Sequence, residues 1–278
     1  MDLDPTARAA ALAATYAADG VVCIRDALTA DELAAVAALF DHGEANPSPG
    51  AYEVYGGGEG RFRIDTFHAA NWPAYVPAYG DTVVPDLVAA LWQSSEDVWF
   101  FYEQLFRKEG PMRRTPWHQD STYLPTDGDH VAVVWIPLDP LDAETSLEFV
   151  RGSHRGPMFN TSAFDSGDDT KPIIDDPAFP RLPDIEANRD AFDLVSWDVE
   201  PGDVVVFHVN ALHGGSPARA GQRRRTVSLR YFGDDATVGV RPSLPANPEG
   251  RRVSATLADT LAGEVGEPFR HPMFHKVR

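Results

Sequence analysis

From Val98 onward the chain stops reading as helix and becomes short apolar runs separated by turns, and no other feature limits its possible folds so strongly. Val98 to Phe106 is aromatic, and His130 to Ile136 is rich in valine. Val204 to Phe207 follows a Pro201-Gly202-Asp203 turn, and Thr226 to Phe232 is a further strand candidate. Strands this short cannot bury an apolar face singly, so they must pair and stack. Following an initial helical layer, they predict a β-barrel or sandwich supported by helices. The 278 residues could hold one large all-β domain with added helices or two small domains, and length does not choose.

The helical layer is readable from its ends. Asp4 and Pro5 form a helix start, and the Ala-rich stretch to Ala18 stops at Gly20, before a short strand at Val21 to Ile24. Thr29 and Glu32 have capping-box spacing, and Leu33, Val36, Leu39 and Phe40 put an apolar stripe on the helix that follows. A third helix is expected from about Asp81 to Trp92. Asn46 to Gly60 is rich in Gly and Pro, but its GGGEG matches neither phosphate-loop pattern; it reads as a surface loop or a site cover. Phe159 to Asn188, dense in Asp, Pro and Gly, reads as a long insertion of the kind that covers sites.

Charge excludes some partners. The 24 Lys and Arg against 42 Asp and Glu give a formal net charge of -18, which repels phosphate backbones and anionic membranes. Nucleic acid is therefore not an expected partner. A few arginines can still build a local anion pocket, and Arg223, Arg224 and Arg225 form the main basic run. The single cysteine, Cys23, cannot form an internal disulfide, and the first residues lack a basic start followed by a long apolar run. No stretch approaches the ~18 to 20 apolar residues that cross a bilayer. A cytoplasmic protein without a membrane partner is expected, and its oligomeric state stays open.

Chemistry concentrates at Pro116-Trp117-His118-Gln119-Asp120. In an extended segment, alternation puts His118 and Asp120 on one face and sends Gln119 to the other. A remote histidine would complete the two-histidine, one-carboxylate face that holds Fe(II) and leaves positions for other ligands. His213, in Asn210-Ala211-Leu212-His213-Gly214-Gly215, is the best third ligand; His208, at the end of the preceding strand, is its competitor. An isolated HxD pair is ordinarily a turn or surface pair. His42, His68, His130, His154, His271 and His275 lack such a setting and read as structural or surface residues. Beyond the basic run, alternation puts Arg224, Thr226 and Ser228 on one side and Arg225 and Val227 on the other. Arg224 can hold a carboxylate through two parallel hydrogen bonds, with Ser228 beside it. A β-barrel metalloenzyme using Zn(II) or another divalent ion for hydrolysis or isomerisation and a non-catalytic small-molecule binding barrel remain as rivals. A nucleophilic hydrolase does not, because no GxSxG elbow is present and Gly152-Ser153 reads as a turn.

TPWHQD at Thr115 to Asp120, HGG at His213 to Gly215 and RRTVSLRY at Arg224 to Tyr231 resemble the phytanoyl-CoA dioxygenase family. DGVVCIRDALTADEL and LEFVRGSHRG extend the resemblance over roughly residues 15 to 235. It implies a mainly β fold with packed helices around a double-stranded β-helix (jelly-roll, cupin-like) core. One Fe(II)/2-oxoglutarate dioxygenase domain would span residues 1–278, with N-terminal helical support and an insertion at about 159–188. The resemblance makes His118, Asp120 and His213 the catalytic iron ligands. Arg224, eleven residues after His213, becomes the cosubstrate arginine, with Ser228, Tyr102 and Gln104 as further cosubstrate contacts. The implied reaction consumes O2 and 2-oxoglutarate, releases succinate and CO2, and hydroxylates a C–H bond of a small organic substrate. Desaturation or ring formation could begin with the same hydrogen abstraction. Related halogenases carry a small residue where this chain has Asp120, so halide transfer is disfavoured. Asp142 to Ser146 departs from the family's commoner Asn-Gly turn. With no basic cluster for a CoA phosphate, a small metabolite is preferred to an acyl-CoA.

Overall fold

A computed structural model describes residues 4–55, 58–66, 72–160, 167–173, 176–241 and 263–278. Helix α1 (Pro5–Asp19) starts where the Asp4 carboxylate accepts from the Ala7 N–H at 3.0 Å and stops at Gly20, whose φ of 76° suits glycine. Strand β1 (Val21–Ile24) follows, and α2 (Ala30–Ala45) opens with the reciprocal Thr29–Glu32 capping box. Glu32 also accepts from the Val83 N–H at 2.6 Å, which ties this helix start to a later one. Next come β2 (Tyr52–Glu53), β3 (Arg61–Thr66), α3 (Trp72–Tyr79) and α4 (Val84–Trp92). The expected helix from Asp81 thus begins at Val84, and α3, which contains Pro77, precedes it.

The remaining strands are β4 (Trp99–Glu109), β5 (Thr115–His118), β6 (Thr126–Asp127), β7 (Val131–Pro137), β8 (Leu147–Val150), β9 (Leu194–Val195), β10 (Val204–His208), β11 (His213–Gly215), β12 (Arg223–Phe232), β13 (Thr237–Val238) and β14 (His275–Lys276). Eight of the strands form the major sheet, in the order β1-β10-β7-β12-β4-β3-β2 with β14 also on β4. Four form a smaller sheet, β5-β11-β8-β9, and β13 pairs with β6. Every position of β7 is buried. Its Ala132, Val134 and Ile136 join the core shared with the helices, whereas Val131, Val133 and Trp135 face the core shared with the smaller sheet. A strand covered on both faces needs this unbroken apolar run. Between the sheets, Phe149 and Phe207 pack with ring centroids 5.0 Å apart. On the helical side, Tyr79 stacks on Phe100 at 3.8 Å.

This architecture corrects the expected mainly β, jelly-roll, cupin-like core. The fold is mixed α/β, because the four α-helices among the described residues form a full layer on the major sheet instead of an added support. The two sheets resemble a double-stranded β-helix arrangement, but they do not close into a barrel. After β10 the chain turns through residues 209–212 and enters the other sheet as β11, and among the described residues each ladder stays within its own sheet. Residues 56–57 of the GGGEG loop, His68, residues 161–166 and 174–175 of the expected insertion, and residues 242–262 of the tail lie outside the described residues. Among those described, no helix is long and apolar enough to cross a membrane.

Candidate metal centre

Strand β5 ends at His118, Gln119 stays extended, and Asp120 opens a short 3-10 turn, Asp120–Tyr123. The Gln119 amide donates to Asn210 O at 2.8 Å and accepts from the Phe159 N–H at 2.7 Å, on the side away from its neighbours. His118 and Asp120 therefore share the other side. Strand β11 lies against β5 with His213 directly opposite His118, and the register shifts before Gly215. The pairing brings the two imidazole centroids to 4.2 Å. Asp120 Oδ1 stands 3.6 Å from His118 Nε2 and 3.9 Å from His213 Nε2. Among the described residues these three form the one cluster with metal-holding geometry, its ligand atoms all within 4.8 Å of one another.

The ring orientations follow from backbone contacts. His118 Nδ1 lies 2.8 Å from Pro116 O and His213 Nδ1 lies 3.0 Å from Ala211 O. A carbonyl can only accept, so each Nδ1 carries the proton and each Nε2 keeps its lone pair toward the cluster. Burial, reinforced by His118, pushes the His213 imidazole down to about 3, and burial also lowers His118. Both rings are then neutral near pH 7, the form that ligates metal. Burial alone would raise Asp120. The Arg230 guanidinium, which also hydrogen-bonds to it, outweighs burial and holds the carboxyl below its usual range. Arg230 Nη2 donates to Asp120 Oδ2 at 2.8 Å, so the second carboxylate oxygen is fixed while Oδ1 faces the rings.

Antiparallel pairing of β4 and β12 sets Tyr102 across from Arg230, Gln104 from Ser228, Phe106 from Thr226 and Lys108 from Arg224. Alternation turns these side chains to the same face of the major sheet. The Arg230 guanidinium lies 4.5 Å from the Tyr102 ring centroid and also donates to Gln104 Oε1. Gln104 Nε2 donates to Thr66 Oγ1 at 3.0 Å, and Ser228 is buried. Arg224 is buried too, and its Nη1 donates to Thr145 O at 2.7 Å. A Cβ added at Gly215 would stand 3.0 Å from Thr115 Oγ1 and 3.2 Å from Arg224 Nη2, so the glycine leaves room for that guanidinium. Arg225 and Arg223 instead pair with Asp139 at 2.9 and 3.5 Å. His208 has both ring nitrogens engaged, by Gly128 O at 3.1 Å and the Asn210 N–H at 3.0 Å, and lies outside the cluster.

Two inward cations escaped the sequence reading, Arg230 and Lys108. The alternation that selected Arg224, Thr226 and Ser228 continues to Arg230, and Tyr102, Gln104 and Phe106 lead in the same way to Lys108. The donor set of two imidazoles and one carboxylate fits Fe(II). Among the described residues the buried Arg230 Nε and Nη1 have no hydrogen-bond partner, which leaves donors for an acceptor that those residues do not supply. Behind the centre, Trp117 Nε1 donates to Glu186 Oε1 at 3.0 Å, while Arg114 pairs with Glu186 and with Glu148, 3.1 Å away. These contacts brace β5 against β8 and against the described end of the loop before Asn188.

Residues 16–226 match the family model described as Phytanoyl-CoA dioxygenase (PhyH). A "Probable phytanoyl-CoA dioxygenase" of Caenorhabditis elegans is 27% identical over 158 residues, 55% of this chain and 44% of that relative. The chain thus matches less than half the length of this curated relative. Among solved structures, the epimerase SnoN in complex with Fe3+, alpha ketoglutarate and nogalamycin RO aligns with a TM-score of 0.68 and 20% identity, over 98% of this chain and 99% of that one. The alpha ketoglutarate dependent carbocyclase SnoK from nogalamycin biosynthesis gives 0.67 and 19%, over 100% and 97%. At these identities the likeness to the solved structures is one of fold.

Proposed function

The chain belongs to the phytanoyl-CoA dioxygenase family, and from that premise we propose that it is a 2-oxoglutarate-dependent oxygenase holding Fe(II) between His118, Asp120 and His213. The observation that carries this reading is the meeting of two lone-pair-bearing Nε2 atoms and one carboxylate oxygen, supplied by β5, the turn after it and β11. Bound there, iron supplies the redox chemistry that consumes O2 and 2-oxoglutarate, releases succinate and CO2, and inserts one oxygen atom into a substrate C–H bond.

The chain's own groups bind and orient. His118, Asp120 and His213 would hold the iron with three ligands, a number that would leave positions for cosubstrate and oxygen. Arg230, holding Asp120 Oδ2, keeps that carboxylate ligating through Oδ1 and stops it from swinging away. Arg224 binds the far carboxylate of 2-oxoglutarate, and burial strengthens the pair by excluding water. Ser228, Gln104 and Tyr102 line the same inner face. Asp120 keeps a carboxylate on the metal, which favours oxygen insertion over halide transfer. The substrate is a small organic molecule whose selection falls to the segments 46–66 and 159–188, and the net charge of -18 argues against nucleic acid. The whole chain acts as one domain on its helical layer.

Succinate formation tests the reading. Protein loaded with Fe(II) under O2 should convert 2-oxoglutarate to succinate, and Asp120→Ala should abolish that conversion while leaving the far-UV circular dichroism unchanged. Undiminished succinate from the Asp120→Ala variant would reject the ligand assignment. Folded, metal-loaded wild type that develops no charge-transfer absorption with 2-oxoglutarate would reject the cosubstrate.

A further inference from the structure

Beside the end of α4, three segments remote in sequence bring a hydroxyl, an imidazole and a carboxylate into one row, outside the metal centre. Ser94 Oγ lies 2.9 Å from His130 Nε2, and His130 Nδ1 lies 3.4 Å from Asp235 Oδ1. A carboxylate can only accept, so Nδ1 carries the proton and Nε2 is left to accept from the Ser94 hydroxyl. Trp92 O, a second acceptor for that hydroxyl, is farther, at 3.1 Å. Ser94 is exposed, whereas His130 is 9% exposed and its ring stacks on Trp92 with centroids 5.3 Å apart. Backbone contacts hold the row in place. Asp235 accepts from the N–H groups of Asp129 at 2.8 Å and His130 at 3.0 Å, and the Gly233 N–H donates to His130 O at 2.8 Å. A Cβ at Gly233 would stand 2.8 Å from His130 Cβ and 2.3 Å from Ser95 Oγ, so glycine is what permits this approach. On the other side, Gln93 ends α4 at a φ of 57°, a left-handed conformation unfavourable for a residue with a side chain, and Ser94 follows it.

We propose that Ser94 is a second reactive centre, a nucleophile with His130 as its base and Asp235 as the group that orients the base, which takes the acyl group of esters with a good leaving group. Such a set is defined by geometry and roles, and its members at 94, 130 and 235 share no local motif. Ser94 Oγ bonds to the ester carbonyl carbon while its proton passes to His130 Nε2. The bond to the leaving oxygen then breaks, and that oxygen departs with the proton. Water repeats the sequence on the acyl-serine, returning the hydroxyl and releasing the carboxylic acid. Neighbouring N–H groups are already engaged, Ser94 by Trp92 O at 2.7 Å and Glu96 and Asp97 by Asp234 at 2.6 and 3.1 Å. A missing oxyanion donor costs about 10²–10³-fold in rate, which confines the centre to esters whose leaving group departs readily. None of the three residues belongs to the metal cluster, and the step needs neither iron nor 2-oxoglutarate.

The test treats the full, metal-free chain with a fluorophosphonate and, separately, with p-nitrophenyl acetate. The fluorophosphonate should bond through phosphorus to Ser94 Oγ with loss of fluoride and the hydroxyl proton, and peptide mass mapping should place the label there. p-Nitrophenyl acetate should release p-nitrophenolate and leave an acetyl group on the same oxygen. Ser94→Ala should abolish both reactions, and His130→Gln should slow both by about a hundredfold or more. Asp235→Asn should slow them less, because the Asp235 side chain is 37% exposed and water screens its charge. Unchanged far-UV circular dichroism would show that the variants fold. A serine without a base is inert to the fluorophosphonate, so wild type that takes no label at Ser94 overturns the proposal whatever the variants do. Label at Ser94 that His130→Gln leaves equally fast, or ester cleavage undiminished in Ser94→Ala, also overturns it.

Discussion

At the scale of single residues, the centre depends on how Asp120 divides its two oxygens, Oδ1 toward the imidazoles and Oδ2 on Arg230. An outer partner that orients a ligand contributes typically about 10–100-fold to metal affinity. Arg230→Gln should therefore raise the dissociation constant for Fe(II) or Co(II) by about that factor, read by anaerobic metal titration. An unchanged constant would remove Arg230 from the account. His213 sets a pH dependence. In the metal-free protein its folded value is about 3, below the unfolded value of about 6.5. Between these values the unfolded chain binds more protons, so stability is full above about 6.5 and falls as pH drops toward about 3. Thermal denaturation of the metal-free protein should show this slope, and His213→Asn should flatten it. Spacing made the convergence of His118, Asp120 and His213 legible, since an HxD segment and a distant HGG leave few alternatives. Arg230 and Lys108 were equally available to alternation. They were overlooked because a buried cation without a visible acid reads, in sequence, as a surface residue.

At the scale of elements, helix ends were more legible than helix numbers. The Thr29–Glu32 box is local chemistry and needs no knowledge of the fold, whereas α3, with Pro77 inside it, exists because Tyr75 and Tyr79 bury fully, Tyr75 edge-on to His42 of α2 and Tyr79 stacked on Phe100 of β4. Thr29→Ala should cost about 1 kcal/mol in urea denaturation. Glu32→Ala should cost more than that, because Glu32 also satisfies the Val83 N–H at the start of α4. Equal losses for the two variants would show that the link between α2 and α4 contributes nothing. Among the strands, β7 was readable as a valine-rich run. That both its faces are covered could not be known before the helical layer was seen to span the major sheet.

At the scale of the molecule, the helices and the major sheet form a backing on which the smaller sheet presents its metal-binding strands. Pairings such as β1 with β10 join residues far apart in sequence, Val21 with Phe207, and no local pattern specifies them. For that reason the short strands suggested a closed mainly β core, while the structure keeps two sheets, each with its own ladder. The centre is therefore stated by the meeting of β5 with β11 within the smaller sheet and by the inner face of β4 and β12 beside it. Anomalous diffraction at the iron absorption edge, from crystals grown and soaked with Fe(II) without oxygen, tests that meeting directly. The expected result is a single strong peak bonded to His118 Nε2, Asp120 Oδ1 and His213 Nε2 together. Iron bound elsewhere, or none at this position under saturating Fe(II), would contradict the account.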